Sequence, residues 1–160
     1  MFNRFVKEAR EVAARAHEIA RRLGSSTVEA EHLLLALAER PGPTVQAALA
    51  EAGLDPDGIY EALDAENERS LAGVGVSSAA FNLPPVAEAP EQPRWATTAK
   101  LALERALEAA LARGDRRIQP GHILLGVLRA PVGTVPRALQ GVGVDRAEVA
   151  VLVEANLDST

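Results

Sequence analysis

The fold of this chain is decided by the five residues 31–35, EHLLL, which return 90 residues later as GHILL at positions 121–125. The similarity continues on both sides without a gap, since 17 of the 61 pairs formed by residues 4–64 and 94–154 are identical. Two alanine-rich helices could share alanines by chance, but not Gly, His, Pro, Thr and Asp at one fixed offset. The chain therefore contains two copies of one structural unit. The most telling further matches are Gly24, Pro41, Thr44, Gly53 and Asp55 with Gly114, Pro131, Thr134, Gly143 and Asp145.

Each copy has the residue pattern of four helices. Apolar residues recur at three- and four-residue spacing, which is typical of helices with one buried face. Gly24 is suited to end the first helix, because glycine tolerates the positive φ that follows many helices, and Asp55 is placed to cap the fourth. We therefore predict an all-α fold of two tandem four-helix repeats, packed with pseudo-twofold symmetry. In the first copy the helices are predicted at residues 3–23, 30–39, 44–52 and from residue 56 onward.

The predicted organisation has a first repeat at residues 1–64, a connector at 65–93 and a second repeat at 94–160. The connector begins as a helix extension but ends in the proline-rich segment NLPPVAEAPEQPR at 82–94, which cannot form a regular helix. It is expected to be partly flexible. A unit of about 60 residues buries only a modest core by itself, so the two repeats are expected to form one compact domain.

Composition excludes several classes of protein. The net charge is −5 and the isoelectric point about 5.3, which argues against nucleic-acid binding because that depends on clustered Lys and Arg. The absence of Cys excludes disulfides, thiol catalysis and cysteine zinc sites. No stretch approaches the ~20 apolar residues that a membrane-spanning helix needs, and the charged start of the chain lacks the apolar segment of a signal peptide. We expect a cytoplasmic protein that is not bound to a membrane.

No catalytic or metal-binding motif emerges from the sequence. The two lysines, Lys7 and Lys100, are not part of a phosphate-binding G-K-[ST] loop. One histidine beside Glu31 supplies too few ligands for a catalytic zinc ion. His32 and His122 are equivalent in the two repeats, and we expect each to tie the start of its helix to a neighbouring helix or loop. The prediction is a protein that is not an enzyme and has no cofactor and no metal.

The first repeat resembles the Clp N-terminal domain, also called the Clp repeat, of ClpA- and ClpC-type unfoldases. That family has a start of the MF-x-RF type, a helix of the A-R-x-V-x-x-x-A kind, a glycine and then an E-H-[IL]-L-L-x-L helix. The second repeat matches through Ala99-Lys100, Gly114 and the segment 122–126. The matching residues of the first are Met1, Phe2, Arg4, Phe5, Ala9, Arg10, Val12, Ala16, Gly24, Glu31, His32, Leu34 and Leu35.

The resemblance implies a protein-binding module of the Clp proteostasis system, which recognises substrates or adaptors for an unfoldase-protease. Because the AAA+ modules of the family are missing from these 160 residues, we expect a freestanding two-repeat protein. Some family members also bind phosphorylated arginine through the glutamate that precedes the histidine, which makes Glu31 and His32 a candidate site. The family's usual Thr is replaced by Ala30, and the second repeat has Gly121 in place of the glutamate. Recognition through this motif is therefore expected to be unequal between the repeats and centred on the first.

A second surface implied by the resemblance is the groove in which some relatives bind cyclic peptide antibiotics. Its candidate residues here are Phe2, His17, Trp95, Lys100 and Glu104. The alternative structural role is that Phe2 and Trp95 simply pack the seam between the repeats. The groove leads to an alternative function, a sequestering protein that binds cyclic peptides or other small ligands and protects a related unfoldase. Expected partners are therefore Clp substrates or adaptors, with arginine-phosphorylated proteins and cyclic peptides as special cases.

Overall fold

The structure, a computed structural model, describes residues 2–73 and 92–158, with Phe2 through its backbone alone. Within these ranges it contains eight α-helices and two short strands, so the all-α prediction is confirmed. The part of the predicted connector at 74–91, including its expected flexibility, lies outside the described residues. The first repeat contains α1 (Lys7–Arg22), β1 (Thr27–Val28), α2 (Ala30–Glu39), α3 (Pro43–Glu51) and α4 (Pro56–Gly73). The second contains β2 (Arg94–Trp95), α5 (Thr97–Arg113), α6 (Pro120–Leu128), α7 (Thr134–Gly141) and α8 (Arg146–Asp158).

The two similar segments form the centre of the molecule. Residues 32–38 of α2 and residues 121–128 of α6 are buried all round, as expected of helices that are enclosed by others. They pack against each other, while α1 covers α2 and α5 covers α6. The covering helices bury mainly alanines, which let two helix axes approach closely.

The outer helices interlock the two repeats. Helix α3 of the first repeat packs on α8 of the second, and α7 of the second packs in the same way on α4 of the first. These contacts are related by the predicted pseudo-twofold symmetry. Each repeat thus completes its core with the last helix of the other, which explains why a unit of this size is doubled.

The start of the first helix was predicted wrongly. The sequence pattern placed residues 3–23 in one α-helix, whereas α1 begins only at Lys7 and Phe2–Arg4 form a turn of 3-10 helix. Phe5 forms an isolated parallel bridge with Ile118, and Val6 N–H donates to the Ile118 carbonyl at 3.0 Å. The mirror pairing joins β1 to β2, with Val28 opposite Trp95. The first residues of each repeat therefore pair through their backbone with the segment that precedes the second helix of the other repeat.

The predicted helix-ending and helix-starting residues have these roles in the structure. Gly24 and Gly114 follow α1 and α5 with φ of 74° and 78°, a backbone conformation that favours glycine. Asp55 Oδ1 accepts the N–H of Gly58 at 2.6 Å, and Asp145 Oδ1 accepts that of Ala147 at 2.9 Å. Both aspartates cap the fourth helix of their repeat.

Candidate functional site

Each repeat uses its histidine to cap its second helix. In α2 the backbone N–H of Glu29 donates to His32 Nδ1 at 2.8 Å, and the Glu29 side chain accepts the N–H of His32. In α6 the N–H of Gln119 donates to His122 Nδ1 at 2.9 Å, and the Gln119 side chain accepts the N–H of His122. These reciprocal bonds satisfy N–H groups that have no partner within the helix. Both imidazoles thus bond the N-cap residue of their own helix, whereas the predicted tie was to a neighbouring helix or loop.

The surroundings of the two histidines differ. His122 is fully buried, with Nε2 2.8 Å from Asp115 Oδ2, and this hydrogen bond is the main reason why the pKa of Asp115 is lowered. In the first repeat the position of Asp115 is taken by Ser25, whose hydroxyl donates to the Thr27 carbonyl at 2.7 Å. Burial of His32, which is 6% exposed, lowers the pKa of its imidazole to about 4. His32 is therefore neutral near pH 7.

Glu31 lies in the first turn of α2 and is half-buried. Burial raises the pKa of its carboxyl group, and the neighbouring Glu29 carboxylate raises it further. The backbone N–H of Glu31 and the charge of Arg137 act in the opposite direction. Ala30, whose N–H donates to Thr98 Oγ1 at 3.0 Å, is itself buried. Glu31 therefore provides a partly desolvated carboxylate that interacts electrostatically with Arg137, a cation of the second repeat.

That cation belongs to an ion cluster between α4 and α7. Glu66 is 5% exposed and accepts hydrogen bonds from Arg137 Nε at 2.6 Å, Arg69 Nη2 at 3.0 Å and Ser70 Oγ at 3.0 Å. The bond from Arg137 is the largest cause of the lowered pKa of the Glu66 carboxyl. The equivalent residues of the other interface are Asn156 and Ala47, so this cluster exists in one half of the molecule only.

In the second repeat, neighbouring side chains crowd the position where the first repeat has Glu31. A Cβ atom at Gly121 would lie 2.9 Å from Leu157 Cδ2 and 3.2 Å from Thr44 Cγ2. Both distances are shorter than ordinary carbon–carbon contacts. Gly121 thus allows the side chains of α3 and α8 to pack closely on α6, and a larger residue there would require Leu157 to move.

His17 and Trp95 come together in a small surface pocket. Their ring centroids are 6.1 Å apart with an interplanar angle of 52°, a tilted arrangement that is favourable for aromatic pairs. The pocket has a volume of 280 Å³ and is also lined by Arg10, Ala13 and Ala14 of α1. Trp95 is half-buried and held by its strand pairing with Val28. Of the residues predicted for the groove, His17 and Trp95 line this one pocket.

The other predicted groove residues are not part of this pocket. Lys100 and Glu104 are exposed on α5, and neither lines the space between His17 and Trp95. The side chain of Phe2 lies outside what the structure describes. Arg10, Ala13 and Ala14 were not predicted, because they are ordinary helix residues that belong to no motif. Their spacing from His17 on one face of α1 is the signal that could have indicated them.

A larger depression on the outside of the first repeat was also not predicted. It has a volume of 680 Å³ and runs between α1 and the end of α2. Its floor includes Glu39, whose Oε1 accepts hydrogen bonds from Arg22 at 2.7 Å and Tyr60 at 2.6 Å. These residues are 17 and 21 positions from Glu39 in sequence, and no local pattern connects them.

Residues 2–73 and 92–158 contain no group of three or more His, Cys, Asp or Glu residues that could hold a metal ion. None of the helices in these ranges has both the length and the apolar character needed to cross a membrane.

Comparison with known proteins gives a family match in both repeats. The model of the Clp repeat (R) N-terminal domain matches residues 4–87 and 94–160. The chain is also 30% identical over 160 residues to the negative regulator of genetic competence ClpC/MecB of Bacillus subtilis. That alignment covers 98% of this chain but 18% of the relative, so the chain spans less than a fifth of that protein.

Solved structures with low sequence identity share the fold. The N-terminal domain of the chaperone ClpD from Arabidopsis thaliana superposes with a TM-score of 0.71 at 20% identity, covering 99% of this chain and 97% of that one. A ClpV N-domain in complex with a VipB peptide gives a TM-score of 0.62 at 17% identity, covering 96% and 89%. Both contain the same arrangement of helices over nearly their full length.

Proposed function

This chain belongs to the Clp repeat (R) N-terminal domain family, and from this membership we propose that it is a non-catalytic module that binds substrates or adaptors of a Clp-type unfoldase. The observation that carries the proposal is the family match over both repeats. A ClpV N-domain of the same fold has been solved in complex with a VipB peptide, which supports protein segments as the class of ligand.

The His17–Trp95 pocket is the place where we propose that a partner segment docks. Its volume of 280 Å³ is at the small end for drug-sized ligands and suits a single side chain of a peptide. The α1 side of the pocket is lined by the small side chains of Ala13 and Ala14, and aromatic anchors such as Trp95 contribute strongly to protein interfaces. The strand pairing of Trp95 fixes its backbone, which lowers the entropy lost on binding.

Replacing Trp95 by alanine is expected to weaken binding of an unfolded polypeptide about tenfold, the effect of losing one central aromatic contact. The measurement is the fluorescence anisotropy of a fluorescein-labelled, permanently unfolded protein titrated with this chain. Leu111→Ala is the matched control, because Leu111 is an exposed apolar residue of α5 that does not line the pocket. Equal affinity of the Trp95→Ala variant and the unaltered chain would contradict the proposal that this pocket is the docking site.

The fluorescence of Trp95 tests the alternative function. Trp95 is the only tryptophan of the chain, so its fluorescence reports directly on the pocket. If a cyclic peptide quenches this fluorescence and the unfolded polypeptide does not, the sequestering function replaces the adaptor-binding one. Quenching by the unfolded polypeptide supports the function proposed above.

We also propose that Glu31 recognises a phosphorylated arginine in the first repeat alone. A carboxylate matches the planar donor fork of a guanidinium group, and partial burial of Glu31 strengthens such a pairing relative to water. Arg137 acts on the Glu31 carboxylate and so places positive charge near where a phosphoryl group would lie. The packing of Leu157 and Thr44 around Gly121 argues for a single site.

Free phosphoarginine is therefore expected to bind with a stoichiometry of one per chain in isothermal titration calorimetry. Glu31→Ala should reduce the affinity at least about tenfold, since hydrogen bonds to charged groups are worth about 1.5–3 kcal/mol. Gly121→Ala serves as the control in the second repeat and should leave affinity unchanged in the folded fraction. Two sites per chain, or undiminished binding by the Glu31→Ala variant, would contradict this assignment.

A further inference from the structure

Two surface pockets occupy equivalent places in the two repeats. Each lies where the end of the second helix meets the turn between the third and fourth helices. Their volumes are 550 Å³ in the first repeat and 450 Å³ in the second. We call them the first-repeat turn pocket and the second-repeat turn pocket. Six lining positions correspond at the offset of 90 residues, namely 41, 46, 50, 54, 55 and 56 with 131, 136, 140, 144, 145 and 146.

The second-repeat turn pocket contains an arginine side chain of the chain itself. Arg146 Nη1 donates a hydrogen bond to the Leu128 carbonyl at 2.8 Å and another to the Ala130 carbonyl. These carbonyls end helix α6, where the last carbonyl groups of a helix have no partner within it. The guanidinium satisfies them and also complements the negative end of the helix dipole.

The first-repeat turn pocket lacks this arginine, because the position equivalent to Arg146 is Pro56. The carbonyls equivalent to those of Leu128 and Ala130 belong to Ala38 and Arg40. Pro41 has no N–H with which to reach back to Ala38. Among the hydrogen bonds of the described residues that lie outside the regular helix ladder, none reaches either carbonyl.

The charges around the two pockets also differ. The charged residues that line the first-repeat turn pocket are Glu39 and Asp55, both acidic. Those of the second-repeat turn pocket are Arg137 and Arg146 with Asp145. Asp55 is exposed and uses Oδ1 to cap α4, which leaves its second carboxylate oxygen available. Because Glu39 is already paired with Arg22, a cation in the first pocket is favoured by the Asp55 carboxylate and by the end of α2.

We propose that the first-repeat turn pocket binds an unmodified arginine side chain of a partner protein, which takes the place that Arg146 has in the second repeat. An arginine is the expected occupant because Arg146 fills the equivalent place in the second repeat, where its Nη1 donates to both carbonyls. The site is separate from Glu31 and from the His17–Trp95 pocket. It therefore goes beyond the proposed function and does not depend on it.

The test uses a blocked tripeptide, acetyl-alanyl-arginyl-alanine amide, and its citrulline analogue, which has the same shape without the charge. In NMR titrations of the full chain, the arginine peptide should shift the amide signals of Arg40, Gly42, Gly53 and Asp55. The citrulline peptide should bind about tenfold more weakly or not at all, as expected for losing charge-assisted hydrogen bonds. Equal shifts from the two peptides would overturn the proposal.

A pair of variants at residue 56 provides the second arm. Pro56→Arg introduces the side chain that the second repeat already has, and it should fill the pocket and abolish binding of the arginine peptide. Pro56→Ala is the matched control and should keep it, because it removes the proline without supplying a guanidinium. Both variants should leave the Trp95 fluorescence response unchanged, which separates this site from the docking pocket. Undiminished binding to a folded Pro56→Arg chain, shown by its unfolding transition, would overturn the proposal.

Discussion

Replacing Gly126 by alanine is expected to destabilise the protein by about 2 kcal/mol or more, a large fraction of the stability of a domain of this size. Gly126 lies in α6 at the point where α5 crosses it. A Cβ atom there would overlap the carbonyl oxygen of Ala102 and would lie 2.8 Å from the backbone nitrogen of Ala106. Both obstacles are backbone atoms of α5, so no side-chain rotation can relieve the clash and the two helices must separate.

The size of the effect follows from two opposing contributions. Overpacking a well-packed core typically costs about 1–3 kcal/mol and occasionally more, and a backbone obstacle places this site at the upper end. The higher helix propensity of alanine offsets this by stabilising the folded state by about 1 kcal/mol. In the first repeat the equivalent residue is Ala36, which is fully buried, so the crossing of α1 and α2 already accommodates a methyl group. The second repeat is thus the more tightly packed of the two crossings.

Urea and thermal unfolding followed by circular dichroism provide the measurement. A loss of this size should lower the melting temperature by about 5 °C or more, and Gly126→Val should lower it further. Gly42→Ala is the matched control, because a Cβ atom at Gly42 meets nothing within 4 Å and its φ of −69° suits any residue. Unchanged stability of the Gly126→Ala variant would show that the two helices do not approach as described.

The helices were predictable from sequence because they follow from short-range patterns. Apolar spacing, Gly24 and Asp55 determine elements whose bonds join neighbouring residues, and the repeat then supplied the pseudo-twofold arrangement. The exchanged strands were not predictable, because each consists of about two residues paired with a segment more than 60 positions away. Such a short pairing leaves no periodicity, and the apolar residues of positions 3–6 therefore looked like part of α1.

The candidate sites were predictable only in part, for a related reason. The position of His32 and His122 at a helix start could be inferred, since a cap involves residues three positions apart. The contacts of Leu157 with Gly121, and of Arg146 with the end of α6, depend on how separate helices pack. Lys100 and Glu104 were assigned to the groove by resemblance, but the packing of α5 leaves them outside the His17–Trp95 pocket.

In three of these differences, the second repeat has an internal contact that the first repeat lacks. The second repeat satisfies its own polar groups and fills its own spaces: Asp115 pairs with His122, Arg146 caps α6 and Leu157 packs at Gly121. At the positions equivalent to Asp115, Arg146 and Gly121 the first repeat has Ser25, Pro56 and Glu31. His32 therefore lacks a carboxylate partner, the end of α2 lacks a guanidinium, and a carboxylate stands where the second repeat has a glycine. Ligand recognition is therefore expected to concentrate in the first repeat.

The histidine that lacks a carboxylate leads to the second large effect, a loss of stability in mild acid. Burial lowers the pKa of His32 to about 4, whereas an unfolded chain has a histidine pKa near 6.5. As the pH falls below about 6.5, the unfolded state takes up a proton that the folded state does not, so stability decreases until the pH reaches about 4. The stability contributed by neutral His32 is fully present above pH 6.5, and the total loss across this window is about 3 kcal/mol.

His32→Gln isolates this contribution. A glutamine at the same position can still accept the Glu29 N–H, as glutamine does in capping boxes, but it does not titrate. We expect the difference in unfolding free energy between the unaltered chain and this variant to shift by about 2 kcal/mol against the unaltered chain when urea unfolding is compared at pH 7.5 and pH 4.5. Carboxylates that titrate in both proteins cancel in the difference. His17→Gln, which removes a half-buried imidazole from the Trp95 pocket and leaves the α2 cap intact, should retain the acid sensitivity. If the difference between the unaltered chain and His32→Gln does not change with pH, the imidazole is not held in its neutral form, and the cap on α2 then has another origin.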